Sequence, residues 1–311
     1  MTSSVKDLVI IGGGPSALSA AIYTAREDIS TTVYEKAVVG GIVATIDNID
    51  NYPGFPNGVE GYKLADDFEK QAKRFGAKIE FGDVTAISVE GNIKVLTIDE
   101  MSVKAKSVLI ATGRSYGKIG APGEEEYFGR GVHYCATCDG AFYHNKKLIV
   151  VGGANSAIQE AIYLTRFATH IDLLVRSTIK ASEILKRDLQ ELVDSGKVTV
   201  HLGTTVDEII GTNGHVTSVR ATKNNESIMI ETNGMFVFVG MDPNTSFLKK
   251  SPVELDESGF IKTDHEMQTN IPGIFASGDV RCGATMQIAS AAGDGVTAAK
   301  SIREYLRSFD K

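Results

Sequence analysis

The stretch that decides the fold is DLVIIGGGPSALSAAIYTAR, residues 7–26. Asp7–Ile11 is a short, mostly apolar run with no polar alternation, the pattern of a parallel strand buried on both faces. It passes directly into Gly12-Gly-Gly-Pro-Ser-Ala17, which fits G-x-G-x-x-A, and then into a helical stretch expected over Leu18–Arg26. Each small residue has its own physical task. Gly12 permits the tight turn, Gly14 lets the backbone approach a pyrophosphate, and Ala17 lets the helix pack closely on the strand. The helix N-terminus then faces the phosphate charge. A second strand, Thr31–Glu35, ends in an acid at about the offset used to hold ribose hydroxyls. Strand before, helix after and Glu35 beyond favour dinucleotide binding over a ligand-free glycine turn.

The pattern recurs. Lys147–Val151 precedes Gly152-Gly-Ala-Asn-Ser-Ala157, a helix expected over Ile158–Phe167 and a strand over His170–Val175. Ala154 stands where the pyrophosphate-facing glycine belongs, so a methyl group intrudes on the ligand side. The segment Arg176 to Lys180 replaces the acid, and a basic group there suits the 2′-phosphate of NADP. A loop that only packs is the alternative. Other strand-like runs are Lys78–Phe81, Met235–Val239 and Ser107–Ala111, the last ending at Thr112-Gly113, a turn small enough for close approach by a cofactor. Gly273–Asp279 is another strand running into a Gly-Asp turn. Two nucleotide loops in one chain, with the cysteine pair Cys135 and Cys138 just before the second, point to a two-dinucleotide flavoprotein.

The totals narrow the class. A chain of 311 residues suits two domains with separate cores. A net charge of -7, with no basic cluster longer than Lys146-Lys147, argues against a nucleic-acid surface. No run reaches the roughly 18 apolar residues that a bilayer span requires, so no membrane association is expected. The start, MTSSVKDLVIIGGG, lacks the basic segment and cleavage site of a signal peptide and reads as a buried strand, hence a cytoplasmic protein.

Only three cysteines occur, an odd and sparse count that is no disulfide framework. Cys135 and Cys138 lie in HYCATCDG, residues 133–140. A metal site would draw on His133, Cys135, Cys138 and His144, but H-x-C-x2-C-x5-H matches no common zinc pattern. No metal is expected. A pair with two residues between can close a small disulfide at little entropic cost, a bond that adds little stability and switches easily. A helix start beside it would lower one thiol below the free value of ~8.5. An inert buried pair is the competing reading. Cys282 has no partner at redox spacing and reads as a small buried side chain. Tyr52, Tyr116 and Tyr134 read as core, with stacking near a flavin as the alternative.

The sequence resembles the low-molecular-weight thioredoxin reductases over nearly its whole length. The resemblance rests on Gly12–Ala17, NYPGF (51–55), ATG (111–113), CATCDG (135–140), GGANSA (152–157), GIFASGDV (273–280) and QIASAAGDG (287–295), in that order. It implies an α/β protein with two Rossmann-like, three-layer ββα/βα dinucleotide-binding domains, the second inserted into the first. Residues 1–115 and 244–311 would bind FAD, and 116–243 would bind NAD(P)H and carry the redox disulfide. It implies a homodimer whose inserted domain swivels to present first the nicotinamide and then the disulfide to the flavin. The FAD contacts it implies are Gly12, Gly14, Pro15, Ser16, Glu35, Lys36, Gly41, Asn51, Val84, Ala111, Thr112, Gly113, Gly278, Asp279, Gln287 and Ile288. For NADPH it implies Gly152, Asn155, Ser156, Arg176 and Lys180.

By the same resemblance Cys138 meets the flavin, Cys135 attacks the disulfide of thioredoxin or a thioredoxin-like protein, and Cys138 resolves the mixed disulfide. Asp139 is the expected acid/base, and it can also cap the helix. No catalytic histidine is implied, which leaves His133 unassigned. The chain departs from the family at Ile42, Ala154, Val175 and Met286, mostly on the nicotinamide side. That leaves ferredoxin or reduced flavin as alternative donors, and a flavin-bound redox sensor with little turnover as an alternative function.

Overall fold

The computed structural model describes residues 5–46 and 48–309; residues 1–4, at the head of the stretch read as lacking a signal peptide, lie outside the described residues. The chain divides into two compact units, Met1–Ser115 with Asp242–Lys311, and Tyr116–Met241. It begins with β1 (Lys6–Ile11), α1 (Pro15–Arg26), β2 (Thr31–Glu35), α2 (Gly61–Arg74), β3 (Lys78–Phe81), β4 (Val84–Glu90), β5 (Ile93–Ile98) and β6 (Met101–Ile110). After β7 (Arg114–Tyr116) come β8 (Val132–His133), α3 (Ala136–Asp139), β9 (Lys147–Val151), α4 (Asn155–Leu164), β10 (His170–Val175) and α5 (Glu183–Asp194). Then follow β11 (Val198–Leu202), β12 (Thr204–Thr212), β13 (His215–Lys223), β14 (Glu226–Glu231) and β15 (Gly234–Val237). The return leg is β16 (Met241–Pro243), β17 (Ile274–Ala276) and α6 (Ile288–Phe309).

In the first unit β1 is central, parallel to β2 on one side and to β6 on the other. Its side chains alternate between two cores. Leu8 and Ile10 join Ala17, Ala21 and Ile302 from α1 and α6, whereas Val9 and Ile11 join Ile87, Leu96 and Val280 on the opposite face. That double burial is why the strand reads as an unbroken apolar run. β5 pairs antiparallel with β6 and β4 antiparallel with β5, and their Leu96 and Ile87 pack on the second face.

The second unit repeats the plan. Its sheet, in the order β11-β10-β9-β15-β8, is parallel throughout. Leu148 and Val150 of β9 pack with Ile158 and Leu164 of α4, while Ile149 and Val151 pack with Val219 and Ala221 of the antiparallel β12-β13-β14 sheet. Both units are therefore α/β and three-layered, the arrangement read from the sequence.

Both nucleotide-loop helices begin inside their motifs, earlier than expected. α1 starts at Pro15, not Leu18, because a proline at the first helical position gives up an amide that would be unpaired there anyway. α4 runs from Asn155 to Leu164 and stops short of Phe167, whose amide instead closes a turn on the Leu164 carbonyl at 3.0 Å. α1 and α6 touch backbone to backbone: a Cβ on Gly295 would lie 2.1 Å from the Ser16 carbonyl oxygen.

Two expectations follow from this packing. Gly295→Ala should lower stability by roughly 1–3 kcal/mol in denaturant titration, because α6 must back away from α1. Lys94 is fully buried, donating to Asn92 O at 3.0 Å and Tyr305 Oη at 2.7 Å, and burial pushes its ammonium from 10.5 down to about 8. The unfolded chain therefore holds the proton between about 8 and 10.5, where the folded one has lost it, so this group's contribution to stability rises with pH across that window. The stability difference between the native chain and Lys94→Met should shift in favour of the native chain by roughly 3 kcal/mol over that range. A pH-independent difference would contradict it.

Candidate active site

At the end of β1 the chain turns through Gly12 with φ +99°, where a Cβ would sit 2.5 Å from the Ala111 carbonyl oxygen. Gly12 is thus required by the loop's packing on Ala111 and Thr112. Gly14 is required by nothing in the chain: its backbone is extended, and a Cβ there would meet no atom within 4 Å. It heads α1 with no side-chain cap, and Pro15 follows. The first amides of α1 are therefore left for an anion beside open space. Gly41 lies next to it, an added Cβ being 3.8 Å from Gly14 Cα.

Glu35, buried at the end of β2, accepts from Gly13 N at 2.6 Å through Oε2 and from Ala37 N at 2.8 Å through Oε1, which fixes the carboxylate at the loop. Ser16 Oγ bonds Ser277 Oγ at 2.6 Å, and a Cβ on Gly278 would lie 2.9 Å from Ser16 Cβ. The α1 start thus gathers Gly12, Gly14, Pro15, Ser16, Glu35, Gly41, Ala111, Thr112 and Gly278. Thr112 Oγ1 donates to Asn244 O at 2.8 Å, and Gly113 beyond it has open space at its Cα. Asp279 accepts from Arg114 Nε at 3.3 Å; burial pushes its carboxyl up and the guanidinium opposes that. Asn51 Nδ2 donates to Gln287 Oε1 at 3.2 Å, directly before Ile288 opens α6. Lys36 is exposed, and Val84 is buried in the core with Tyr34. Open space at Gly14, uncapped helix amides and a fixed carboxylate fit the pyrophosphate and ribose of a bound dinucleotide.

In the second unit Gly152 turns with φ +144° under the Phe238 carbonyl, and Ala154 heads α4, again with no side-chain cap. The segment after β10 folds over this loop. Lys180 N donates to Gly153 O at 2.6 Å, and Ser182 N donates to Asn155 Oδ1 at 2.8 Å. Asn155 is thereby committed to holding a loop, while Ser156, Arg176 and Lys180 are exposed. Uncapped amides and two exposed cations fit a phosphate-bearing dinucleotide, with the Ala154 methyl narrowing the approach.

β8 pairs with β15, setting His133 opposite Phe236, and delivers the chain to the cysteines. Cys135 and Cys138 are disulfide-bonded with Cα atoms 5.3 Å apart, both half-buried. Cys135 itself caps α3, its Sγ accepting from Cys138 N at 3.2 Å. The capping role considered for Asp139 is therefore filled by sulfur. Asp139 ends α3, where its Oδ2 lies 3.3 Å from His133 Nδ1. Nothing in the sequence signals that pairing, because nothing in the resemblance marks His133.

Tyr116 and Tyr134 stack on each other with centroids 4.7 Å apart, and Tyr134 Oη donates to Glu124 at 2.9 Å. Tyr52 packs on Phe55 and Phe68. Cys282 corrects an expectation: it is exposed, not buried. Its amide donates to Ile261 O at 2.8 Å, which anchors a turn whose side chain projects outward, and a hydrogen bond to Asp256 pushes the thiol up. Among the described residues no group of three or more His, Cys, Asp or Glu is placed to hold a metal ion, and no helix is long and apolar enough to cross a membrane.

Two α/β units, each with a glycine loop at a helix start, and a disulfide spanning two residues just beyond a strand end define a dinucleotide-dependent disulfide oxidoreductase. Residues 6–295 match the family model described as pyridine nucleotide-disulphide oxidoreductase. A thioredoxin reductase of Listeria innocua serovar 6a is 41% identical over 309 residues, 98% of this chain and 95% of that protein. One from Bacillus subtilis is 39% identical over 310 residues, 99% of this chain and 96% of that protein. The crystal structure of thioredoxin reductase from Streptococcus pyogenes has a TM-score of 0.93 at 38% identity, covering 99% of this chain and all of that one. The chain belongs to the pyridine nucleotide-disulphide oxidoreductase family and, within it, to the low-molecular-weight thioredoxin reductases, which use FAD and NADPH.

The two loop glycines should separate binding from folding. Gly14→Val fills space that no chain atom uses, so flavin content of the purified protein should fall several-fold with little change in circular dichroism. Gly12→Val drives a side chain into the Ala111 carbonyl, so the thermal midpoint itself should fall.

Proposed function

We propose that the chain is a thioredoxin-disulfide reductase in which NADPH is the donor and the Cys135–Cys138 disulfide is the exchange centre. Thioredoxin or a thioredoxin-like protein is the substrate, as the names of the relatives support. The observation that carries the reading is the disulfide: it spans two intervening residues, caps a helix of four, and sits in the unit that holds the second glycine loop. Bound FAD supplies a carrier that takes two electrons from a nicotinamide and gives two to a disulfide. The α1 amides and Glu35 hold it by pyrophosphate and ribose, Asn51 and Gln287 contribute at the start of α6, and Arg176 and Lys180 receive the 2′-phosphate of NADPH.

Exchange with the partner needs only the two cysteines and one base. With both thiols formed, the Cys135 thiolate attacks one sulfur of the partner disulfide. The partner S–S bond breaks, its leaving thiolate takes up the proton that the Cys135 thiol released on ionising, and a Cys135–partner disulfide remains. Cys138 then gives its proton to Asp139 and attacks Cys135 Sγ. The mixed bond breaks, the Cys135–Cys138 bond re-forms, and the proton held by Asp139 goes to the second partner sulfur. The chain loses two electrons and two protons, and the partner gains both. The enzyme acts as a homodimer in the cytoplasm, a setting that suits a dithiol needing a reducing environment.

Rapid mixing with NADPH should bleach the flavin. Cys138→Ser should bring thioredoxin reduction to background and leave bleaching intact. A flavin that stays oxidised with NADPH but bleaches with reduced ferredoxin or free reduced flavin would overturn the donor.

A further inference from the structure

His133 is buried, 5% exposed, on a two-residue strand directly before the cysteines, in a position to which the function above gives no role. Its ring is held on three sides. It stacks on Phe236 with centroids 5.1 Å apart and stands edge-on to Tyr143 at 5.3 Å. Nε2 lies 2.7 Å from Tyr143 Oη, and Nδ1 lies 3.3 Å from Asp139 Oδ2. Tyr143 is itself accommodated by design of the backbone: a Cβ on Gly234 would lie 2.5 Å from its ring, so only glycine leaves room for it there.

The chemistry of the three groups sets the direction of each bond. Burial, and next the Asp139 charge, push the Tyr143 phenol up, so it stays an O–H donor. A neutral imidazole that accepts this hydroxyl at Nε2 must carry its proton on Nδ1, the nitrogen that faces the carboxylate. The ionisable groups against the ring are Asp139 and Tyr143; β15 presents the uncharged Phe236, and beyond Tyr143 the Lys146 ammonium lies 5.8 Å from the phenol ring.

We propose that His133 is a positioning residue for Asp139, its Nδ1–H holding the carboxylate in place for the exchange at Cys138 while Tyr143 fixes the imidazole tautomer. This rests on Asp139 being the acid/base of the exchange. In the resolving step Asp139 takes the Cys138 proton as the Cys138–Cys135 bond forms and the Cys135–partner bond breaks; His133 changes neither its proton count nor its charge.

The test follows the exchange half-reaction of the whole holoenzyme, reduced with dithiothreitol, freed of it, and mixed in a stopped-flow instrument with oxidised thioredoxin from pH 5 to 9. Loss of a donor raises the pKa of a carboxylate. His133→Phe, which keeps the stacking on Phe236, should therefore move the acid limb of the rate profile up by about one pH unit, with a rate roughly 3- to 10-fold lower on that limb and unchanged on the plateau. His133→Asn, which donates an N–H without titrating, should restore the native profile. Tyr143→Phe should move the limb in the same direction by less, and it decides the matter if His133→Phe fails to fold. A profile that superposes on the native one in His133→Phe and Tyr143→Phe, while Asp139→Asn is slow, overturns the positioning role alone. An Asp139→Asn protein as fast as native at every pH overturns the acid/base reading of Asp139 and this proposal with it.

Discussion

A strand buried on both faces has no side chain to spare for chemistry, and that constraint organises the molecule. Leu8 and Ile10 are claimed by one core and Val9 and Ile11 by the other; in the second unit Leu148 and Val150 face one core, Ile149 and Val151 the other. Function is displaced to the point where each strand ends. There the chain must turn under a neighbouring carbonyl, so Gly12 and Gly152 are glycines for steric reasons that involve no ligand. The helix that follows starts uncapped, and its amides become the resource from which a nucleotide site is made.

The same displacement places the sulfur chemistry. β8 is only two residues long, Val132 and His133, and after the buried Tyr134 the chain reaches Cys135. A bond closing so small a ring constrains the unfolded chain very little. Its presence is better explained by reactivity than by stability. The Cys135 sulfur accepts the Cys138 amide and so replaces the oxygen that usually caps a helix.

Much of this was legible beforehand because it depends on local rules. Thr31–Glu35, His170–Val175 and Lys147–Val151 are readable as strands from their mostly apolar or β-branched runs, and the glycine loops announce themselves by spacing. Both loop helices start three residues before the sequence pattern predicts, because Pro15 and Asn155 look like loop residues until the turn places them at a first helical position. The antiparallel strands β12 to β14 cover a face of the second unit but carry mixed polar sequence and gave little signal. The exposure of Cys282 is not legible, because an exposed turn residue and a small core residue look alike in one dimension. The His133–Asp139–Tyr143 cluster was invisible for a different reason: it depends on the register that sets His133 against Phe236, and on Gly234 leaving room for a ring. Register between distant strands is not written in the spacing of either.

The central claim is that the bond between Cys135 and Cys138 opens and closes under the protein's own reductant while the third cysteine stands apart. Differential alkylation with mass-spectrometric mapping, before and after anaerobic addition of NADPH, tests it most directly. Labels should appear on Cys135 and Cys138 only after NADPH, with Cys282 labelled equally in both samples. A pair that remains oxidised while Cys282 alone takes label would contradict it.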